Sequence, residues 1–124
     1  MSIRNLDKLL EPRSVAIVGA SERPGSVGTT VWRNLRAGAF QGSILPVNPK
    51  HGRIDGERAF ARVADLPEVP DLAVLCTPAS TIAGLVRELA AIGTRAAIIM
   101  TSGLTAEQKQ AALEAARPAL LRLL

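Results

Sequence analysis

Residues 15–21, with the sequence VAIVGAS, decide the fold, and Arg23, Gly25 and Gly28 follow them closely. The apolar run stops at a glycine, crosses a turn of small residues and leads into an amphipathic helix. Such a strand–turn–helix unit points free backbone N–H groups and a helix N-terminus at the space above the strand. That space favours an anion, usually the phosphate of a nucleotide, so the stretch predicts a nucleotide-binding site.

The composition predicts one globular domain. The chain has 124 residues, of which 48% are hydrophobic, enough to bury about two-thirds of the unfolded surface. No apolar run approaches the roughly 20 residues of a membrane helix, and the first residues lack the apolar core of a signal peptide. We therefore expect a cytoplasmic protein with no membrane partner. The single cysteine, Cys76, lies in an apolar run, which favours a buried small residue over a nucleophile.

The excess of basic over acidic residues does not predict a nucleic-acid partner. The net charge is +4, but the arginines are scattered singly between Arg4 and Arg122. Three aromatic side chains, Trp32, Phe40 and Phe60, could stack on bases, and the first two fit a core helix better. The modest positive charge can instead attract a small anionic ligand.

Strand and helix patterns alternate along the chain. Strands are predicted at residues 14–19, 44–47, 71–76 and 96–100, with a short extended piece at 59–63. Helices are predicted at residues 6–10, from Val27 to near Gly38 with Val27, Val31 and Leu35 on its apolar face, from 78 to 93, and from 105 towards Pro118. This alternation indicates an α/β fold: a Rossmann-like, doubly wound parallel sheet of order 3-2-1-4-5 in a single three-layer domain spanning residues 1–124.

Local signals place the helix ends. Thr77 and Pro78 predict an N-cap followed by proline at the first helical position, and Gly93 predicts the end of that helix. Thr105 and Gln108 have the spacing of a capping box. An Asp55-Gly56 pair predicts a turn.

Four small or polar segments follow the predicted strands, at residues 19–21, 48–50, 77–78 and 101–103. Ligands of open parallel sheets bind beyond the carboxyl ends of the strands, so the four segments together predict a site. The glycine spacing after Gly19 fits neither the G-x-G-x-x-G fingerprint nor a Walker loop. Where NAD-binding proteins carry an acid after the second strand, this chain has Asn48, Pro49 and Lys50. A lysine there suits a phosphate on the ribose, which both NADP and coenzyme A carry.

The ordered set of motifs resembles the N-terminal CoA-binding domain of NDP-forming acyl-CoA synthetases, relatives of the succinyl-CoA synthetase α subunit. The resemblance rests on residues 14–21, 25–28, 44–50, 65–67, 70–74, 77–79 and 101–103, and it covers essentially the whole chain. The resemblance also places a step from a helix into a further strand at residues 119–124.

The resemblance implies which residues bind CoA or acyl-CoA. The first loop would lie along the phosphates and pantetheine, Lys50 would face the ribose phosphate, Thr77 and Pro78 would border the nucleotide, and Thr101 and Ser102 would reach towards the thiol. The expected cofactor-binding residues are Gly19, Ala20, Ser21, Arg23, Ser26, Gly28, Asn48, Pro49, Lys50, Thr77, Pro78, Thr101 and Ser102.

The resemblance further implies a role within an acid–CoA ligase that forms ATP or GTP through a phosphohistidine. The family carries that histidine in a later domain, and His51 does not match it, so we expect no catalytic residue and no metal in this chain. Later catalytic and ATP-grasp domains or subunits, or in one branch an acetyltransferase domain, are the implied partners. Two alternatives remain open: a regulatory or stand-alone CoA-binding protein, and an NADP-binding oxidoreductase domain.

Overall fold

The computed structural model of the protein describes residues 11–124, so the helix predicted at 6–10 lies outside the described residues. The strands are β1 (Ser14–Val18), β2 (Ser43–Val47), β3 (Arg53–Ile54), β4 (Glu57–Arg58), β5 (Leu72–Leu75), β6 (Ala96–Ile99) and β7 (Arg122–Leu123). The α-helices are α1 (Val27–Ala37), α2 (Ile82–Ile92) and α3 (Ala106–Ala116). Short 3-10 turns occupy Val63–Asp65, Ala79–Thr81 and Arg117–Ala119.

The main sheet has five parallel strands in the order β2-β1-β5-β6-β7. The predicted order 3-2-1-4-5 counts the segment at 59–63 as the third strand, and the observed neighbours keep that order, because this segment lies beside β2 and is followed across the sheet by β1, β5 and β6. The segment expected as an outer strand at 59–63 makes a single parallel bridge, between Val47 and Phe60. The opposite edge gains β7 instead, at the step from helix to strand that the family resemblance placed there.

Alternating side chains of the sheet build two apolar layers. Val15 and Ile17 face α1, where they pack in one cluster with the buried Trp32. Ala16 and Val18 face the other way, into the cluster formed with α2 and α3. These central residues are at most 3% exposed, which explains why β1 is apolar on both faces. The predicted three-layer, Rossmann-like α/β architecture is confirmed.

The helix ends follow the predicted chemistry at the start of α3 and at the end of α2, and depart from it at the start of α2. Thr105 and Gln108 form the predicted capping box, and Gly93 ends α2 in a left-handed conformation at φ 98°. Thr77 and Pro78 do not start α2 directly, because the 3-10 turn at Ala79–Thr81 comes first. The Thr77 hydroxyl lies instead 2.6 Å from that of Thr81.

A small antiparallel hairpin, β3–β4, covers the α1 face of the sheet. Asp55 at its tip accepts hydrogen bonds from Trp32 Nε1 at 3.0 Å and from the Arg33 guanidinium at 3.0 Å to each oxygen. Arg36 adds an ion pair to Glu57 at 3.2 Å. The hairpin is therefore fixed to α1 by polar contacts around a buried tryptophan.

Candidate functional site

An open cleft of about 670 Å³ lies at the carboxyl ends of β1, β2, β5 and β6. This is the edge of the sheet at which the crossovers change direction, where open α/β sheets bind their ligands. The cleft is lined by Gly19, Ser21, Arg23, Gly25, Ser26, Val27, Gly28, Asn48, Lys50, His51, Cys76, Thr77, Pro78, Met100, Thr101 and Ser102.

Two glycines allow the close packing that forms the floor of the cleft. Gly19 has φ +96°, and a Cβ there would lie 3.0 Å from the backbone carbonyl atoms of Cys76. A Cβ on Gly28 would lie 1.9 Å from the carbonyl oxygen of Gly19. The first turn of α1 can therefore approach the end of β1 only without a side chain at position 28.

The N-terminus of α1 faces this floor. Ser26 is the N-cap, and its hydroxyl accepts a hydrogen bond from the Thr29 N–H at 3.2 Å. Thr29 Oγ1 donates in turn to the Arg23 carbonyl at 2.7 Å, which fixes the loop to the helix. Helix geometry leaves the N–H groups of Val27 and Gly28 without an acceptor inside the helix, and they carry the positive end of the helix dipole.

Asn48 ties the loops after β1 and β2 together. Its Nδ2 donates to the Ala20 carbonyl at 2.9 Å, and its Oδ1 accepts from the N–H groups of Lys50 at 2.8 Å and His51 at 3.1 Å. All three contacts are made by one amide side chain, which carries both donor and acceptor atoms. Asn48 therefore sets where Lys50 leaves the strand end.

The loops after β5 and β6 are joined in a similar way. Thr101 Oγ1 donates to the Thr77 carbonyl at 2.6 Å, while the Met100 N–H donates to the Leu75 carbonyl at 2.9 Å. The two loops thus form one connected wall of the cleft.

The charged side chains that line the cleft are basic. Arg23 and Lys50 are both exposed there, and none of the lining residues among the described 11–124 is acidic. Burial raises the pKa of the Cys76 thiol to about 11, so the thiol is protonated near neutral pH. The cleft therefore has the electrostatic character of an anion-binding site and holds no activated cysteine.

The structure brings all the predicted site residues to the cleft except Ala20 and Pro49. Ala20 is fully buried, at 0% exposure, in the apolar cluster on the α1 side of the sheet. Pro49 lines a neighbouring cavity of about 280 Å³ instead. The cleft also includes Gly25, Val27, His51, Cys76 and Met100, which were not predicted. Val27, predicted on the apolar face of α1, is instead 47% exposed at the cleft.

Cys76 and Met100 directly follow strands β5 and β6, so the strand-end rule could have included them. Within residues 11–124, no group of three or more His, Cys, Asp or Glu is placed to hold a metal ion. None of the helices in this described part of the chain has the length and apolar character needed to span a membrane.

Comparison with known proteins agrees with this architecture. Residues 13–124 match the model of the CoA binding domain family. The chain is 43% identical over 102 residues to the trans-feruloyl-CoA synthase FCS1 of an unknown prokaryotic organism, covering 82% of this chain and 14% of that protein. It is 33% identical over 111 residues to the ADP-forming acetate–CoA ligase II of Archaeoglobus fulgidus, covering 90% and 16%.

Among solved structures, the dinucleotide-forming acetyl-coenzyme A synthetase 1 of Candidatus Korarchaeum cryptofilum superposes with a TM-score of 0.90 at 29% identity. The match covers 96% of this chain and 26% of that one. The chain thus spans between about a seventh and a quarter of the length of these relatives. From its match over residues 13–124, the chain belongs to the CoA binding domain family.

Proposed function

We propose that the cleft binds coenzyme A, free or as an acyl thioester, with the phosphates against the first loop and the ribose phosphate near Lys50. The observation that carries this proposal is a cleft whose charged lining side chains, among residues 11–124, are all basic, built on a helix N-terminus in a chain of the CoA binding domain family. Coenzyme A brings a pyrophosphate and a ribose phosphate, and anions of this kind suit helix-start N–H groups and lysine.

The shape of the first loop supports the fit. Gly25 has φ +81°, and a Cβ added there would meet nothing within 4 Å. The backbone of the loop is therefore open to a phosphate, as a phosphate cradle requires. Arg23 and Ser26 border the same opening, so a guanidinium and a hydroxyl add to the backbone donors.

We infer that the domain presents CoA to an acid–CoA ligase, ADP- or GDP-forming, whose chemistry takes place on other domains. Two observations support this role: relatives named as CoA synthases and ADP-forming ligases are several times longer than this chain, and the Cys76 thiol in the cleft is not activated. Later catalytic and ATP-grasp domains, or an acetyltransferase domain, are the proposed partners, and the cytoplasm is the proposed location. Residues of this chain would bind and orient the ligand.

Calorimetry and thermal-shift measurements on the 124-residue chain test the proposal. We expect CoA to bind and to raise the melting temperature, dephospho-CoA to do so less, and NADPH to have no effect. Stabilisation by NADPH without stabilisation by CoA would show instead that the cleft belongs to a dinucleotide-binding oxidoreductase domain.

A further inference from the structure

A third cavity, of about 460 Å³, lies beyond the carboxyl ends of β6 and β7 and is closed on one side by α3. Its walls are mainly apolar and include Ile99, Leu104, Leu113, Leu123 and Leu124. Among residues 11–124, the only charged side chain that lines this cavity is that of Lys109. A cavity of this size, with apolar walls and few polar groups, has the character of a small-molecule site.

The cavity adjoins the cleft at the loop after β6. Thr101 and Ser102 line both spaces, so a ligand that lies in the cleft can extend past these two residues into the cavity. Within the described part of the chain, no acidic side chain lines either space. An anionic ligand is therefore not repelled on its way from one space to the other.

The order of the strands determines which part of the ligand reaches this loop. The strands end side by side in the order β2, β1, β5 and β6, so the cleft runs from Lys50, after β2, to Ser102, after β6. Three inter-strand steps of roughly 4.8 Å separate these two ends, about 14 Å in all, and the extended pantetheine arm spans that distance. With the ribose phosphate near Lys50, the sulfur of the ligand lies at the mouth of the cavity.

We propose that this cavity binds the acyl group of an acyl-CoA and that it selects extended aliphatic or aromatic acyl groups over acetyl, an inference that rests on the proposed function. An extended apolar acyl group exchanges water for the leucine and isoleucine side chains of the walls. An acetyl group has one methyl group beyond its carbonyl and leaves most of the cavity to water. The thioester carbonyl stays at the loop after β6, outside the apolar walls.

The α3 side of the cavity reaches from the surface to the core. Leu113 lines the cavity and is 50% exposed, whereas the adjacent Ala112 lines it and is 1% exposed, as part of the apolar cluster between the sheet and α3. An acyl group placed here covers the exposed part of Leu113 and removes apolar surface from water on both partners. Leu113 is therefore the side chain through which the site can be tested without disturbing the core.

Calorimetry with CoA, acetyl-CoA and octanoyl-CoA on the 124-residue chain tests the proposal. We expect octanoyl-CoA to bind about tenfold or more tightly than CoA, because several methylene groups leave water. Acetyl-CoA should bind within about twofold of CoA. Equal affinities for the three ligands would overturn the acyl site and leave the proposed function standing, whereas a chain that does not bind CoA would contradict the proposed function itself.

Leu113→Gln tests the place at which the acyl group lies. Glutamine is a good helix former and the position is half-exposed, so we expect the variant to fold, to keep its affinity for CoA and to bind octanoyl-CoA about threefold or more weakly. Leu124→Gln, in another wall of the cavity, should have the same effect.

Val69→Gln is the matched control for these variants. Val69 is 51% exposed, like Leu113, and it lines neither the cavity nor the cleft, so this variant should keep the full preference for octanoyl-CoA. If octanoyl-CoA keeps its advantage in Leu113→Gln and Leu124→Gln, or loses as much of it in Val69→Gln, the acyl group lies elsewhere and the proposal is wrong.

Discussion

The carbonyl oxygen of Gly19 lies where a side chain on Gly28 would begin, 1.9 Å from the position of the missing Cβ. This contact joins the residue that follows β1 to the first turn of α1, and it brings the helix N-terminus over the cleft. The spacing between the two glycines therefore has a packing reason that is independent of any ligand.

Replacing Gly28 tests that contact. Gly28→Ala should lower the free energy of unfolding by about 1–3 kcal/mol, because the methyl group forces backbone atoms apart. Gly84→Ala is the matched control: it also replaces an early helical glycine, but into open space, and should stabilise the fold by about 0.5–1 kcal/mol. Urea denaturation of the two variants measures the difference. Equal stabilities would show that α1 can shift away from β1 at no cost.

Lys50 should contribute to binding through the ribose phosphate. We expect Lys50→Ala to weaken CoA binding by about 1.5–3 kcal/mol, which is about ten- to a hundredfold, since it removes a charge-assisted contact. Dephospho-CoA should bind the variant and the unmodified chain alike, because it lacks that phosphate. Arg87→Ala, which removes an exposed charge of α2 outside the cleft, controls for the change in net charge. Equal losses for both ligands in calorimetry would place Lys50 at another phosphate.

The main elements and most of the site could be predicted from the sequence. Residues 15–18 of β1 are all apolar and α3 has a complete capping box, so local chemistry alone determines both elements. The cleft followed from the rule that ligands lie at strand ends. These predictions use signals within a few residues of each element.

The parts that were missed depend on contacts distant in sequence. Strand β7, which the family resemblance indicated but the residue pattern did not, has two residues and forms because β6 offers a free edge to pair with. The hairpin β3–β4 is held by Asp55 bonding to Trp32 and Arg33, more than twenty residues away. Pro49 was assigned to the cleft because it adjoins Lys50, but successive residues of this loop face different cavities. Sequence patterns do not carry this information.

Asp55 should make the fold sensitive to acid. The hydrogen bond from Arg33 lowers the pKa of the Asp55 carboxyl below its ordinary value of 3.8; burial opposes this, and a hydrogen bond from Trp32 supports it. A lowered pKa in the folded state means that the ionised carboxylate stabilises the fold above that ordinary value and that this contribution is lost as pH falls through the lowered pKa. Asp55→Asn should therefore have a smaller loss of stability in acid than the unmodified chain.

Fluorescence can follow this transition, because the chain has a single tryptophan and Trp32 itself bonds to Asp55. Glu57→Gln, on the same hairpin, is the control and should retain the acid dependence. If the stability of Asp55→Asn falls in acid as steeply as that of the unmodified chain, other carboxylates account for the effect.

Cys76 should react slowly although it lines the cleft. Burial raises the pKa of its thiol to about 11, so about one thiol in a thousand is ionised at pH 8, and the thiolate is the reactive form. We expect iodoacetamide to modify the folded chain at least about a hundred times more slowly than the urea-unfolded chain, with the rate rising as pH increases towards 11. Mass spectrometry gives the rate directly, since the chain has one cysteine. Saturating CoA should slow the reaction further if the ligand covers the cleft, whereas fast labelling at neutral pH would show an activated thiol and reopen a catalytic role for Cys76.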